Sequence, residues 1–129
     1  MEAPIVFISN WKIKPGRLED LKQLAREVVS RMEAEKPRTV VYLVYDDHDG
    51  THATFVHAFA DADSMDLHFL GADDRTTSAL ELMEPDRWEI YGRASDAALE
   101  SMREAAAAAK VPLTVQPDFL AGFMRLHAG

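Results

Sequence analysis

Two stretches of this sequence are apolar on both sides of a period-two pattern, and this limits what the chain can fold into. Over residues 5–13, Ile5, Phe7, Ser9, Trp11 and Ile13 fall on one side, with Val6, Ile8, Asn10 and Lys12 on the other. Over residues 39–45, Val40, Tyr42 and Val44 alternate with Val41, Leu43 and Tyr45. Period two with β-branched and aromatic residues reads as strand. An antiparallel strand with one face in water alternates apolar with polar, so these two strands need cover on both faces.

The intervening segments supply cover for one face. Pro15-Gly16 ends the first strand. Leu18, Leu21, Ala25, Val28 and Met32 recur at helical spacing, opposite Glu19, Asp20, Lys22, Arg26 and Glu27, until Pro37. The Asp49-Gly50 end of an acidic turn starts a hairpin. The returning strand over 51–59 puts Phe55, His57 and Phe59 on one face, and His52, Thr54, Val56 and Ala58 on the other. Asp61 or Asp63 caps the next helix. Met65, His68, Phe69, Ala72, Thr76, Ala79 and Met83 form one stripe if that helix continues past Gly71, which can instead kink or break it. Pro85 ends it, and 87–92 reads as a fourth strand with Trp88, Ile90 and Tyr91. Ser95 opens a third helix with Leu99, Met102, Ala106 and Ala109 inward; Pro112 stops it, and a short strand begins at 113.

The order β-α-β-β-α-β is that of a ferredoxin-like α+β domain, an antiparallel sheet with helices on one face. A single domain over 1–129 fits the length, with 95–129 as a helix-and-strand extension. The second sheet face is left for the third helix or for a second copy of the chain. Isologous pairing of two sheets covers it more completely, so a homodimer is expected. The apolar tail over 119–126 is placed to cross to the partner.

Charge and composition remove several function classes. A formal charge of −8 disfavours nucleic acid and anionic membrane surfaces. No apolar run approaches membrane-helix length, and no signal-peptide pattern opens the chain, so a cytoplasmic location is expected. With no cysteine there is no disulfide, thiolate metal site or cysteine nucleophile. Phosphate-binding glycine loops, His-Glu-x-x-His and Gly-x-Ser-x-Gly are all missing, against nucleotide cofactors and zinc or serine hydrolysis. Asp46-Asp47-His48-Asp49 lacks the spacing of a calcium loop and reads as a solvated turn, so no metal is expected. Asp73-Asp74-Arg75 reads as a solvated, self-paired stretch.

Several segments carry a family resemblance. They are Trp11-Lys12-Ile13-Lys14-Pro15-Gly16, the hairpin running into Phe59-Ala60-Asp61, the helix Ser64-Met65-Asp66-Leu67-His68-Phe69, and Trp88-Glu89-Ile90-Tyr91-Gly92. Together they resemble the antibiotic-biosynthesis-monooxygenase-like group of dimeric α+β barrel proteins. The resemblance implies two sheets paired into a barrel and a pocket between sheet and helices in each monomer. Its oxygenases act without a cofactor on electron-rich aromatic or quinone-like molecules. Its haem-degrading branch needs an asparagine, a tryptophan and a ligating histidine where this chain has Ser9, His68 and Ser78, so the resemblance implies neither haem nor any other cofactor.

Within that implied pocket His68 is the candidate catalytic base, because a neutral imidazole on the inward stripe can move a proton at physiological pH. Its plainer reading is a packed histidine bonded to backbone. Ser9, Trp11, His57, Phe69, Thr76 and Trp88 are the candidate substrate-binding residues. Ser9 is one of two register options, with Asn10, for a first-strand donor. The tryptophans offer flat surfaces to an aromatic ligand, or simply fill core. Two functions fit: a cofactor-independent monooxygenase-like enzyme, or a non-catalytic dimeric protein binding a small molecule or a partner through the same fold.

Overall fold

In a computed structural model describing residues 3–125, nine elements follow one another. They are β1 (Ile5–Ile13), α1 (Leu18–Glu35), β2 (Thr39–Asp46), β3 (His52–Phe59), α2 (Ala62–Phe69), α3 (Ala72–Leu82), β4 (Met83–Tyr91), α4 (Asp96–Ala109) and β5 (Leu113–Gln116). The sheet order is β2-β3-β1-β4-β5. The first four strands pair antiparallel in the ferredoxin-like arrangement, and β5 adds a parallel edge beside β4.

Register places the two faces as the alternation requires. Phe7 lies opposite His57 and Ile90, and Ser9 opposite Phe55 and Trp88. Tyr42 lies opposite His57. These residues share the helix-covered face. Val6, Ile8, Val56, Leu43 and Tyr45 share the other. The third helix does not cover that second face. Leu99 and Met102 of α4 pack on the cluster of Ile5, Phe7, Phe59, Met65 and Ile90, beneath the same helices. A right-handed β4-α4-β5 crossover, running in the direction of β3-α2-β4, can only land there. Leu43 and Tyr45 are therefore left 45% and 58% exposed on the open face.

Four local features differ from sequence expectation or resolve its alternatives. Gly71 breaks the second helix: it adopts φ 76°, and the chain restarts as α3. Pro85 lies inside β4 rather than before it. The ladder shifts register there, with Asn10 opposite Arg87 but Trp11 opposite Pro85, and this bulge tolerates a residue lacking N–H. A second bulge at Val40, between Thr39 and Val41, distorts the β2 edge. The tail from Phe119 has no regular structure as far as it is described, and Leu120 is 97% exposed; Leu126 lies outside the described residues.

Two glycines in the left-handed region distinguish strain from crowding. A Cβ on Gly92 (φ 97°) would sit 2.6 Å from the Pro4 carbonyl oxygen, whereas one on Gly16 (φ 77°) meets nothing within 4 Å. Gly92→Ala is expected to destabilise by roughly 2–4 kcal/mol and Gly16→Ala by about 1 kcal/mol, read by urea unfolding. Equal losses would show that the Pro4 contact relaxes at no cost.

Candidate functional site

The helix-side face of the sheet carries a continuous row of aromatic and polar side chains at its middle. It lies between two separate core clusters. One is built on Ile5, Phe7, Phe59, Met65 and Ile90, the other on Ile13, Leu21, Ala53, Leu82 and Met83. Ser9 and His57 are buried but belong to neither.

At one end of the row stands a histidine cluster. Asp61 caps α2 by accepting from the Ser64 N–H at 2.8 Å, and the helix carries His68 inward until it is 1% exposed. Its ring lies 5.3 Å from that of His57 and 5.5 Å from that of Tyr42, with Phe59 and Phe69 closing round it. His68 Nδ1 and Thr39 Oγ1 share a hydrogen bond of 2.7 Å. His57 Nδ1 lies 3.1 Å from the Phe7 carbonyl oxygen, which can only accept, so Nδ1 carries the proton and Nε2 presents a lone pair. Among the described residues, no protein group bonds that Nε2.

Burial sets the charge state of both rings. Desolvation pushes His57 down to about 4, helped by the Arg75 charge and opposed by the Phe7 hydrogen bond. Desolvation pushes His68 down to about 3, with His57, Arg75 and Lys36 adding to the shift. Both are neutral at pH 7. Burial also raises the Tyr42 phenol to about 12.

The break at Gly71 would strand the last carbonyls of α2 without partners. Cations satisfy them. Lys36 Nζ donates to Leu67 O at 2.9 Å and Leu70 O at 3.1 Å, and Arg75 Nη2 donates to His68 O at 2.8 Å. Arg75 is thus a structural clamp, not the self-paired surface residue that its acidic neighbours suggested. Beside it, Lys36, Arg38, Thr39, Ser64 and His68 line a half-open cleft of about 220 Å³. A larger, more open depression of about 350 Å³ runs along α1 alone, lined by Ala25, Arg26, Val29, Ser30 and Glu33.

At the other end of the row, Trp11 Nε1 donates to Ser9 Oγ at 2.9 Å, and the Trp11 and Trp88 rings lie 6.1 Å apart. Phe55 joins the two ends, 6.5 Å from Trp11 and 6.4 Å from Tyr42. Six of the seven residues singled out in the sequence come together here: His57, Ser9, Trp11 and Trp88 on this face, and His68 and Phe69 packed against it from α2. Thr76 does not join them. It is exposed on α3, where Ala72, Arg75, Ala79 and Leu82 are the more buried positions and Thr76 falls outside their stripe. Sequence reasoning missed Thr39, Tyr42 and Phe55 as neighbours of the histidines and tryptophans. The hairpin centred on Asp49-Gly50 held the signal, since that register puts Tyr42 opposite His57.

No family model and no curated relative matches the sequence. Solved structures do. MupZ from Pseudomonas fluorescens superposes with a TM-score of 0.71 at 18% identity over 95% of both chains, a share that must include α4 and β5. An inferred antibiotic biosynthesis monooxygenase from Bacteroides thetaiotaomicron gives 0.57 at 20% identity, over 64% of this chain and 81% of its own. Another, from Deinococcus radiodurans, gives 0.57 at 16% identity, over 70% and 93%. This chain has the antibiotic biosynthesis monooxygenase-like fold. At these identities the likeness concerns the fold alone.

The fold holds two buried imidazoles that are uncharged at pH 7, and stability should register them. An unfolded histidine takes a proton near 6.5, whereas the folded ones wait until about 4 and about 3. Over that interval the unfolded chain binds more protons, so stability is complete above pH 6.5 and falls as pH drops towards 4. The lowered carboxylates, Asp47 and Asp61, add to the loss only as pH nears their ordinary value of 3.8, at the acid end of the range. Urea midpoints from pH 8 to 4 should show the decline, and His57→Gln should flatten part of it. A midpoint constant down to pH 4.5 would show that neither ring stays neutral through burial.

Proposed function

We propose that this protein is a cofactor-independent monooxygenase-like enzyme acting on a small aromatic or quinone-like molecule along the sheet–helix row. The observation that carries the reading is His57, a neutral imidazole held by a backbone carbonyl, with a free lone pair among aromatic rings. Oxygenation without a cofactor needs a base to form a substrate anion that passes an electron to O₂. For an activated CH₂ group, the base removes one proton and the carbanion reduces O₂. A C–O bond forms, the second C–H proton is lost, and the O–O bond breaks. The substrate becomes a ketone, and the other oxygen atom leaves as water. His57 takes the first proton. His68, beside it and bonded to Thr39 at the cleft, links the pair to solvent. Walls of Phe, Trp and Tyr stack on a planar substrate and keep water from the anion.

Non-catalytic binding is the second reading, and the hydrogen bond that already occupies His68 Nδ1 favours it. Anthrone, a tricyclic ketone with one acidic CH₂ group, separates the two under air. The enzyme reading expects O₂ uptake above the buffer rate, lowered about 10²–10⁴-fold in folded His57→Gln. Anthrone binding with uptake no faster than buffer would favour the binding protein.

We propose also that the chain is a homodimer closed by its open sheet faces. Val6, Ile8, Val56, Leu43 and Tyr45 give that face an apolar centre, and a stable contact should bury on the order of 1,000 Å² or more. Light scattering should give twice the chain mass at micromolar concentration, and Leu43→Lys should give a folded monomer. A monomeric unaltered chain would defeat this assembly.

A further inference from the structure

Two hydrogen-bond donors belong to neighbouring residues at the tryptophan end of the row, and neither has an acceptor among the described residues. Trp88 Nε1 is buried with no hydrogen-bond partner, the one such side-chain atom among the described residues. Ser9 is 4% exposed. Its oxygen accepts from Trp11 Nε1, and its own proton has no recorded acceptor among the described residues. Ser9 and Trp88 are directly opposed on β1 and β4, so their side chains leave the sheet from neighbouring positions on one face.

An indole N–H can only donate, and a hydroxyl that has accepted one bond still has a proton to give. Trp11 fixes this polarity: by donating to Ser9 Oγ, it leaves the serine proton free to serve as the second donor. A buried donor left unpaired is destabilising, so such pairs persist where something meets them. The complement is a single oxygen with two lone pairs and no proton of its own. Trp11, Phe55 and Trp88 are only half-buried there, and their neighbouring rings offer flat apolar surface.

From this we infer that Ser9 and Trp88 form a carbonyl-binding subsite, which selects planar aromatic ketones or quinones over the corresponding hydrocarbons. This deepens the substrate class proposed above and rests on the row being a ligand site, but not on turnover there. On the oxygenase reading, the ketone oxygen anchored here sets the ring system along the row, with its far edge towards His57.

The chain's only two tryptophans both lie in this subsite, so their indole N–H resonances report on it directly. The probes are 1-tetralone and tetralin, which share a bicyclic frame and differ in the carbonyl. In the unaltered protein, 1-tetralone should move the Trp88 indole proton downfield, with the peak assigned by its loss in Trp88→Phe; tetralin should not. Ser9→Ala should weaken 1-tetralone roughly threefold to tenfold and leave tetralin unchanged. A Trp88 indole proton already hydrogen-bonded to an ordered water and unmoved by 1-tetralone overturns the inference. So do equal affinities for the two probes. Anthrone-driven O₂ uptake, measured on the same preparation, keeps the two proposals apart. Carbonyl selectivity without uptake leaves the subsite standing and removes the oxygenase. Uptake without carbonyl selectivity does the reverse.

Discussion

Strand β1 is hydrogen-bonded on both sides, to β3 and to β4, and helices cover one of its faces. Every other element takes its place from that strand. Its alternation decides which residues of β3 and β4 face the helices, because opposed residues in a ladder share a side. Its central position makes Ser9 a neighbour of both Phe55 and Trp88, and Phe7 a neighbour of both His57 and Ile90. A one-residue slip of β1 would send Ser9 and Phe7 to the open face and bring Asn10 inward. On the open face Asn10 already has its own partners, Glu89 at 3.1 Å and Thr54 at 3.0 Å, which oppose such a slip.

The second constraint is local. By ending α2 after two turns, Gly71 lets a short helix place His68 and Phe69 against the sheet while α3 takes a different path over the second core cluster. The exposed carbonyls of that short helix draw in Lys36 and Arg75. Those cations then lie near the buried imidazoles and help to keep them neutral. A backbone requirement and the charge state of the site are thus met by the same side chains.

Much of this was legible in the sequence. Period two assigned the strand faces of β1, β2 and β3, since the side-chain period of a strand is fixed by geometry. Ser9, Trp11, His57 and Trp88 share a sheet face because opposed strand residues do, and helical spacing brings His68 and Phe69 over it. What was lost depended on events that periodicity does not encode. Gly71 left open whether the helical phase continued, and Thr76 was placed inward only if it did. Pro85 read as a boundary, because a bulge that accommodates proline is a property of two strands rather than one. Arg75 read as self-paired because its neighbours in sequence are acidic, while its real partner is the carbonyl of His68. The orphan indole of Trp88 follows from how three chain segments close around one nitrogen, and no local pattern announces it.

The bulge at Val40 has a consequence for how copies of the chain can meet. An open sheet ends in two edges, and each regular edge offers a row of unpaired N–H and C=O groups on which another strand can grow. Here one edge is distorted at Val40, and the other is only four residues long. Neither presents a long, flat template for a further strand. Side-to-side growth into ribbons is discouraged at both ends, which favours the face-to-face pairing proposed above.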